Sequence, residues 1–208
     1  TLDGAATATA EGDLVMAYGR ASNSSQRLLK VDQDGQIVYS KEIQASSFNT
    51  VANLAARPGG GYYALLTNST GSEFMLVNIS EQGELAWRTR KLLISGSGST
   101  QAQGLAVAPD EGALITGRVN TGGTIPRNEP AVIKVAPDGA FSYIRYFRDT
   151  VTPNPLYANA LDVVPASGRA GYYIAGQSSQ SQNTGDLALM RTKRFDPAIQ
   201  CIGDYDFN

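Results

Sequence analysis

Along this chain short apolar runs alternate with polar residues at a period of two, and turns join the runs in pairs. The clearest pair is Leu28 to Tyr39, LLKVDQDGQIVY, in which Asp34-Gly35 separates two such runs. Period-two alternation marks a strand with one covered face, and an Asp-Gly pair provides the positive φ angles that a tight hairpin needs. The frame returns at Met75 to Trp87 (MLVNISEQGELAW), at Val132 to Tyr143 (VIKVAPDGAFSY) and, more loosely, at Leu189 to Cys201 (LMRTKRFDPAIQC). A bulky residue follows each turn at one interval: Tyr39 after Gly35, Trp87 after Gly83, Tyr143 after Gly139, Cys201 after Pro197.

Two further strand-like runs precede each hairpin, which gives four runs per unit, a to d. In the first unit they are Gly4 to Ala10, Asp13 to Gly19, Arg27 to Val31 and Gln36 to Ile43. The second unit runs from Thr50 to Leu92, the third from Ala102 to Phe147 and the fourth from Tyr157 to Phe207. This spacing fits a repeat of roughly 40 to 50 residues with loop insertions. No sustained 3.6-residue pattern supports a helical solenoid. The expected fold is therefore all-β: a β-propeller of four four-stranded antiparallel blades, about 1–45, 46–93, 94–150 and 151–208, in a single domain 1–208. The alternative is a sector of a larger propeller.

The a runs are dominated by small residues such as Ala6, Ala8, Ala52, Gly104 and Ala106, as strands converging on an axis require. The d runs carry Lys41, Glu42, Arg88, Arg90 and Arg145, which suits an outer edge that must not pair with another molecule. A closed ring is expected over an open sector, with Ala8 and Ala106 facing each other at about the 10 Å spacing of packed sheets.

Composition narrows function. A net charge of -2 and a pI of about 5.2 provide no basic field for nucleic acid. No apolar run reaches the roughly 18 residues that span a bilayer, so no membrane insertion is expected and the chain reads as soluble. It begins at Thr1 without Met, as a processed product or a segment of something longer would. Cys201 is alone, so no internal disulfide is available, and it is expected as a small buried residue. Histidine is absent, which removes the usual serine or cysteine triad and the commonest metal ligand.

The segments KVDQDGQIVYSK and IKVAPDGAFSY, followed by GGYY or GYYIAG, resemble the repeats of bacterial secreted β-propeller proteins over essentially the whole chain. The resemblance implies a propeller, a secreted, cell-surface or periplasmic setting and a binding or structural role. It transfers no catalytic residue. The second unit departs from it with Gln82 and Asn78, and the fourth with Asp196-Pro197.

Strand order places the b–c and d–a connections at one end of the blades and short turns at the other. The first end has the long loops, where a rigid scaffold usually builds its contacts. Its longest, VNTGGTIPRNEP, offers Asn120, Arg127, Asn128 and Glu129 as candidate partner-binding residues. Asp32 and Asp34 resemble the start of a calcium loop but lack the closing Glu, so a plain turn is expected. Lys30, Lys134 and Arg191 recur in the c runs, with stems expected to lie between blades; Tyr39, Trp87 and Tyr143 are expected to pack there rather than form a sugar platform. The sequons at Asn23, Asn68 and Asn78 are expected by chance in a chain this rich in Ser and Thr. The acids at the loop end, Glu73, Glu129, Asp149 and Asp186, show no spacing that pairs them.

The expected function is a non-catalytic binding or scaffold module for a protein or glycan partner, without a cofactor or metal, and not an enzyme. The alternatives are a structural subunit of a larger extracellular assembly and a carbohydrate-active hydrolase or lyase.

Overall fold

A computed structural model of the chain describes residues 2–20, 25–44, 48–68, 73–92, 101–120, 128–146, 156–164, 171–181 and 184–192. The first sheet is β1 (Leu2–Ala8), β2 (Leu14–Arg20), β3 (Ser25–Val31) and β4 (Ile37–Gln44), paired antiparallel in chain order. The second is β5 (Thr50–Ala56), β6 (Tyr62–Thr67), β7 (Glu73–Ile79) and β8 (Leu85–Leu92), and the third β9 (Gln101–Val107), β10 (Ala113–Asn120), β11 (Asn128–Val135) and β12 (Phe141–Tyr146). The last has three strands among the described residues: β13 (Leu156–Val164), β14 (Gly171–Ser181) and β15 (Thr184–Thr192). The expected final run, Ile199 to Phe207, lies outside the described residues, as does Cys201.

The hairpin turns form for a reason slightly different from the expected one. Gly35, Gly83 and Gly139 have φ of 81°, 78° and 90°, whereas Asp34 is not among the residues at positive φ. Asp32 N–H donates to Gln36 O at 2.9 Å and Gly35 N–H to Asp32 O at 3.1 Å, and the other two turns repeat this pair of bonds. That is a three-residue loop in which only glycine must be left-handed, and a separate bulge follows in each outer strand, where the register shifts at Lys30/Val31, Asn78/Ile79 and Lys134/Val135 leave Val38, Ala86 and Ser142 as the extra residues. Asp32 Oδ1 accepts the N–H groups of Asp34 at 3.0 Å and Gln36 at 2.8 Å, so this carboxylate serves its own turn.

The core lies between sheets. Val15, Ala17 and Leu28 meet Tyr62, Ala64, Leu66 and Val77 in one buried cluster. Tyr63, Leu65, Phe74 and Leu76 meet Leu105, Ile115, Ile133 and Val135 in the next. In β6 every side chain is buried, because one face meets the first sheet and the other the third. The innermost strands contact one another in the order β1, β5, β9, β13. Among the described residues no contact of comparable extent joins β13 back to β1, so the closed ring expected from the small inner residues is not formed there.

The aromatic residues of the outer strands latch neighbouring sheets. Tyr39 lies over Gly83 and Trp87 over Gly139, so close that an added Cβ would meet them at 2.8 and 3.0 Å. Trp87 Nε1–H also donates to Pro137 O at 2.9 Å, and its ring tilts against Tyr63 at 5.7 Å between centroids. The packing role expected for Tyr39 and Trp87 is thus the observed one. Trp87→Ala is expected to cost about 1.5–2.5 kcal/mol, less than a fully buried aromatic because the ring is half-exposed. Urea unfolding checks this: the midpoint should fall with little change in slope.

Candidate functional site

The strand directions gather the b–c and d–a connections at one end, and most residues of those connections lie outside the described set. Their anchoring strand ends are described. The expected partner-binding loop is shorter than the sequence suggested, because β10 and β11 continue through Val119 opposite Glu129 and Asn120 opposite Asn128. Asn120, Asn128 and Glu129 are therefore ladder residues at the rim, while Arg127 and Asp149 lie outside the described residues.

This register brings order to the acids at that end. Lys30 pairs with Val15, Asn78 with Tyr63, Lys134 with Leu114 and Arg191 with Tyr173, which makes these four positions equivalent from sheet to sheet. Counting back five residues along each third strand reaches Ser25, Glu73, Glu129 and Asp186. Three carboxylates thus hold one register position in three successive sheets, all at the loop-bearing end. The spacing between acids hid this, because loop insertions differ between units; the signal was the constant count within each strand. Glu73 is fixed locally by Asn68, whose Oδ1 accepts the Glu73 N–H and whose own N–H donates to Glu73 O, both at 3.3 Å.

The inner strands add a second repeated feature. β5, β9 and β13 each carry one extra residue, Ala52, Gln103 and Asn159, at matching places toward the same end. Bulges of this kind re-aim side chains at rims and sites. Beside them Asn53 Nδ2–H donates to Gln103 O at 3.4 Å, and Asn53 Oδ1 accepts the Leu54 N–H at 2.8 Å. Between the first two sheets Gln26 is fully buried and donates from Nε2 to Phe48 O at 2.5 Å. Among the described residues no donor reaches Gln26 Oε1 or Asn49 Oδ1. A buried acceptor left unmatched costs about 1–3 kcal/mol.

The opposite, short-turn end is electrostatically matched. Lys30 is buried and pairs with Asp13 at 3.0 Å, with Glu81 of the next sheet at 4.0 Å. Burial alone would lower its pKa, but the Asp13 hydrogen bond and the fields of Tyr62 and Asp13 outweigh that and raise it above 10.5. Lys134 pairs with Asp110, whose carboxyl burial would push up; Lys134 and the Gly112 N–H instead hold it below its ordinary value. In the second sheet Asn78 replaces the lysine and Arg57 supplies the cation, bonding Asn78 Oδ1 at 3.2 Å and Glu111 at 2.8 Å. The Lys30 and Lys134 stems lie buried as expected, but their heads are ion-paired rather than free. Asn78 is buried, so its sequon presents no accessible side chain. Burial likewise pushes the Tyr39 hydroxyl well above its usual range, reinforced by Tyr62.

No protein-family profile matches the sequence, and no curated protein matches it. Solved structures do match in fold. An α-L-arabinofuranosidase from Clostridium thermocellum is 16% identical with a TM-score of 0.52, over 93% of this chain and 69% of that one. Puromycin hydrolase is 14% identical with a TM-score of 0.56, over 89% of this chain and 30% of that one. A protein of unknown function from Bacteroides caccae is 14% identical with a TM-score of 0.44, over 80% of this chain; the chain spans 54% of its length.

These likenesses show the fold: an all-β architecture of antiparallel four-stranded sheets of the propeller kind. They also correct the expected function. The two neighbours with TM-scores above 0.5 are hydrolases by name, so this fold does not single out a non-catalytic binding or scaffold module. The physical reason is plain: lacking histidine excludes a triad, but glycoside hydrolysis needs only two carboxylates.

Proposed function

We propose that the chain is the propeller part of a carbohydrate-active hydrolase, built as four blades in an open sector, working at its loop-bearing end in a secreted or cell-surface setting. The observation that carries this is the recurrence of Glu73, Glu129 and Asp186 at one register position of three successive blades. In such chemistry one carboxylic acid protonates the leaving oxygen. A second carboxylate activates water or attacks the sugar, and their separation decides which. An arabinofuranosidase among the fold neighbours makes arabinose-containing glycans the first substrates to try.

The test is hydrolysis of aryl glycosides and polysaccharides, arabinofuranosides among them, by the wild type and by Glu73→Gln, Glu129→Gln and Asp186→Asn. At least two of the three substitutions should lower turnover by about tenfold or more, as loss of an acid or base does. Ser25→Ala, at the matching position of the first blade, should leave it unchanged. A wild type with no turnover above blank, or three carboxylate variants with full turnover, rules the reading out.

A further inference from the structure

The first sheet has one covered face and one bare face, whereas the second and third are covered on both. Val15 and Ala17 are buried against the second sheet, but on the other face Leu14 is 43% exposed and Met16 and Tyr18 are half-buried. At the position of Leu14 the second sheet has Tyr62 at 1% and the third has Ala113 at 0%. β3 repeats the contrast: Leu29 and Val31 are half-buried where Val77, Ile79, Ile133 and Val135 are buried. The bare face is the one that, in the next two sheets, receives the preceding blade.

The hairpin at its rim shows what is missing. A Cβ added at Gly83 or Gly139 would strike Tyr39 or Trp87 of the incoming blade, but one added at Gly35 meets nothing within 4 Å among the described residues. The aromatic seat at Gly35 is open. Charge sorts the candidates for it. Beside Gly83 stand Glu81 and Glu84, and the incoming first blade brings Lys30 and Lys41 to them. Beside Gly139 the matching residues are Pro137 and Ala140, and the incoming second blade brings Asn78 and Thr89. Cations arrive only where acids wait. Beside Gly35 those two residues are Gln33 and Gln36, neither of them acidic. The fourth blade of this chain carries Arg191 at the Lys30 position and, by the sequence register, Cys201 at the Tyr39 position. It would bring no ring to the seat at Gly35.

We infer that the bare face of the first sheet, around Leu14, Met16 and Leu29 with Gly35 at its rim, docks a further β-blade of the same repeat. That blade carries an aromatic residue at the Tyr39 position and uncharged residues at the Lys30 and Lys41 positions, and it is not the fourth blade of this chain or of a second copy. The second blade has this outward pattern in Asn78, Trp87 and Thr89, so it is the natural probe. A full chain extended by a second copy of residues 50–100 ahead of Leu2 should melt at least about 4 °C higher, a shift of one to two kcal/mol in a chain of this size. Amide exchange in β2 and β3 should slow with it. Replacing the tryptophan of the added copy by alanine should remove both gains. Leu14→Lys should leave the melting point of the original chain within about 1 °C and cancel the gain in the extended one. An extended chain that does not fold, or that gains neither melting point nor protection, overturns the inference, as does an equal gain without the added tryptophan. A several-degree loss from Leu14→Lys in the original chain also overturns it, assigning the face to a second copy where the loss depends on concentration and to the chain's own fourth blade where it does not.

Discussion

Phe74→Ala is expected to cost about 3–5 kcal/mol, the range for deleting a fully buried aromatic side chain that its surroundings cannot collapse to fill. Phe74 is 0% exposed in the cluster between the second and third sheets, and its ring meets Phe141 of the third sheet edge-on at 6.3 Å. β7 has neighbours on both faces, so the cavity would open between two sheets held by their own ladders. Leu85→Ala makes the control: at 52% exposed it should change stability by no more than about 0.5 kcal/mol. Chemical unfolding of both variants decides the matter. A loss below about 1 kcal/mol for Phe74→Ala would mean that the two sheets do not share a packed interior.

Asp13→Asn is expected to cost about 2–4 kcal/mol near neutral pH, because it strands a buried ammonium. The side chains of Lys30 and Asp13 are only 8% and 18% exposed, and the remaining acid, Glu81, is 4.0 Å away and more than half exposed. The pH dependence gives the sharper check. Lys30 has a folded pKa raised above 10.5, so its contribution is fully present below that pH and lost as the pH rises through the raised value. In the variant, burial acts with Asp13 neutralised, and the folded pKa of Lys30 should fall below 10.5 instead. The gap between wild type and variant should therefore be widest near neutrality and narrow toward alkaline pH. A gap that stays constant from pH 7 to pH 11 would show that Asp13 acts through something other than the Lys30 charge.

Much of the fold was legible in the residues. First-unit strands read from alternation as Gly4 to Ala10, Asp13 to Gly19, Arg27 to Val31 and Gln36 to Ile43 are observed as Leu2–Ala8, Leu14–Arg20, Ser25–Val31 and Ile37–Gln44. Tyr39 and Trp87 could be assigned to contacts between sheets because each follows its turn at a constant interval. The site was less legible. Asn120, Asn128 and Glu129 looked like loop because Pro130 and the neighbouring glycines suggest irregular backbone, yet the ladder to β10 carries β11 back to Asn128. Gln26 gave no signal at all, since a polar residue near a loop reads as exposed until a second sheet closes over it.

The amino-acid sequence by itself determined the strands, their order within each sheet and the glycine turns, because all of these depend on neighbours a few residues apart: side chains alternate across a pleat, and only glycine enters the left-handed turn without strain. The tertiary structure alone decided which surfaces meet. It bulged three inner strands at matching places and left the first sheet open where its successors are closed. Those outcomes follow from the angle and distance between whole sheets, which are set by the sum of many side-chain contacts and so are carried by no local run of residues.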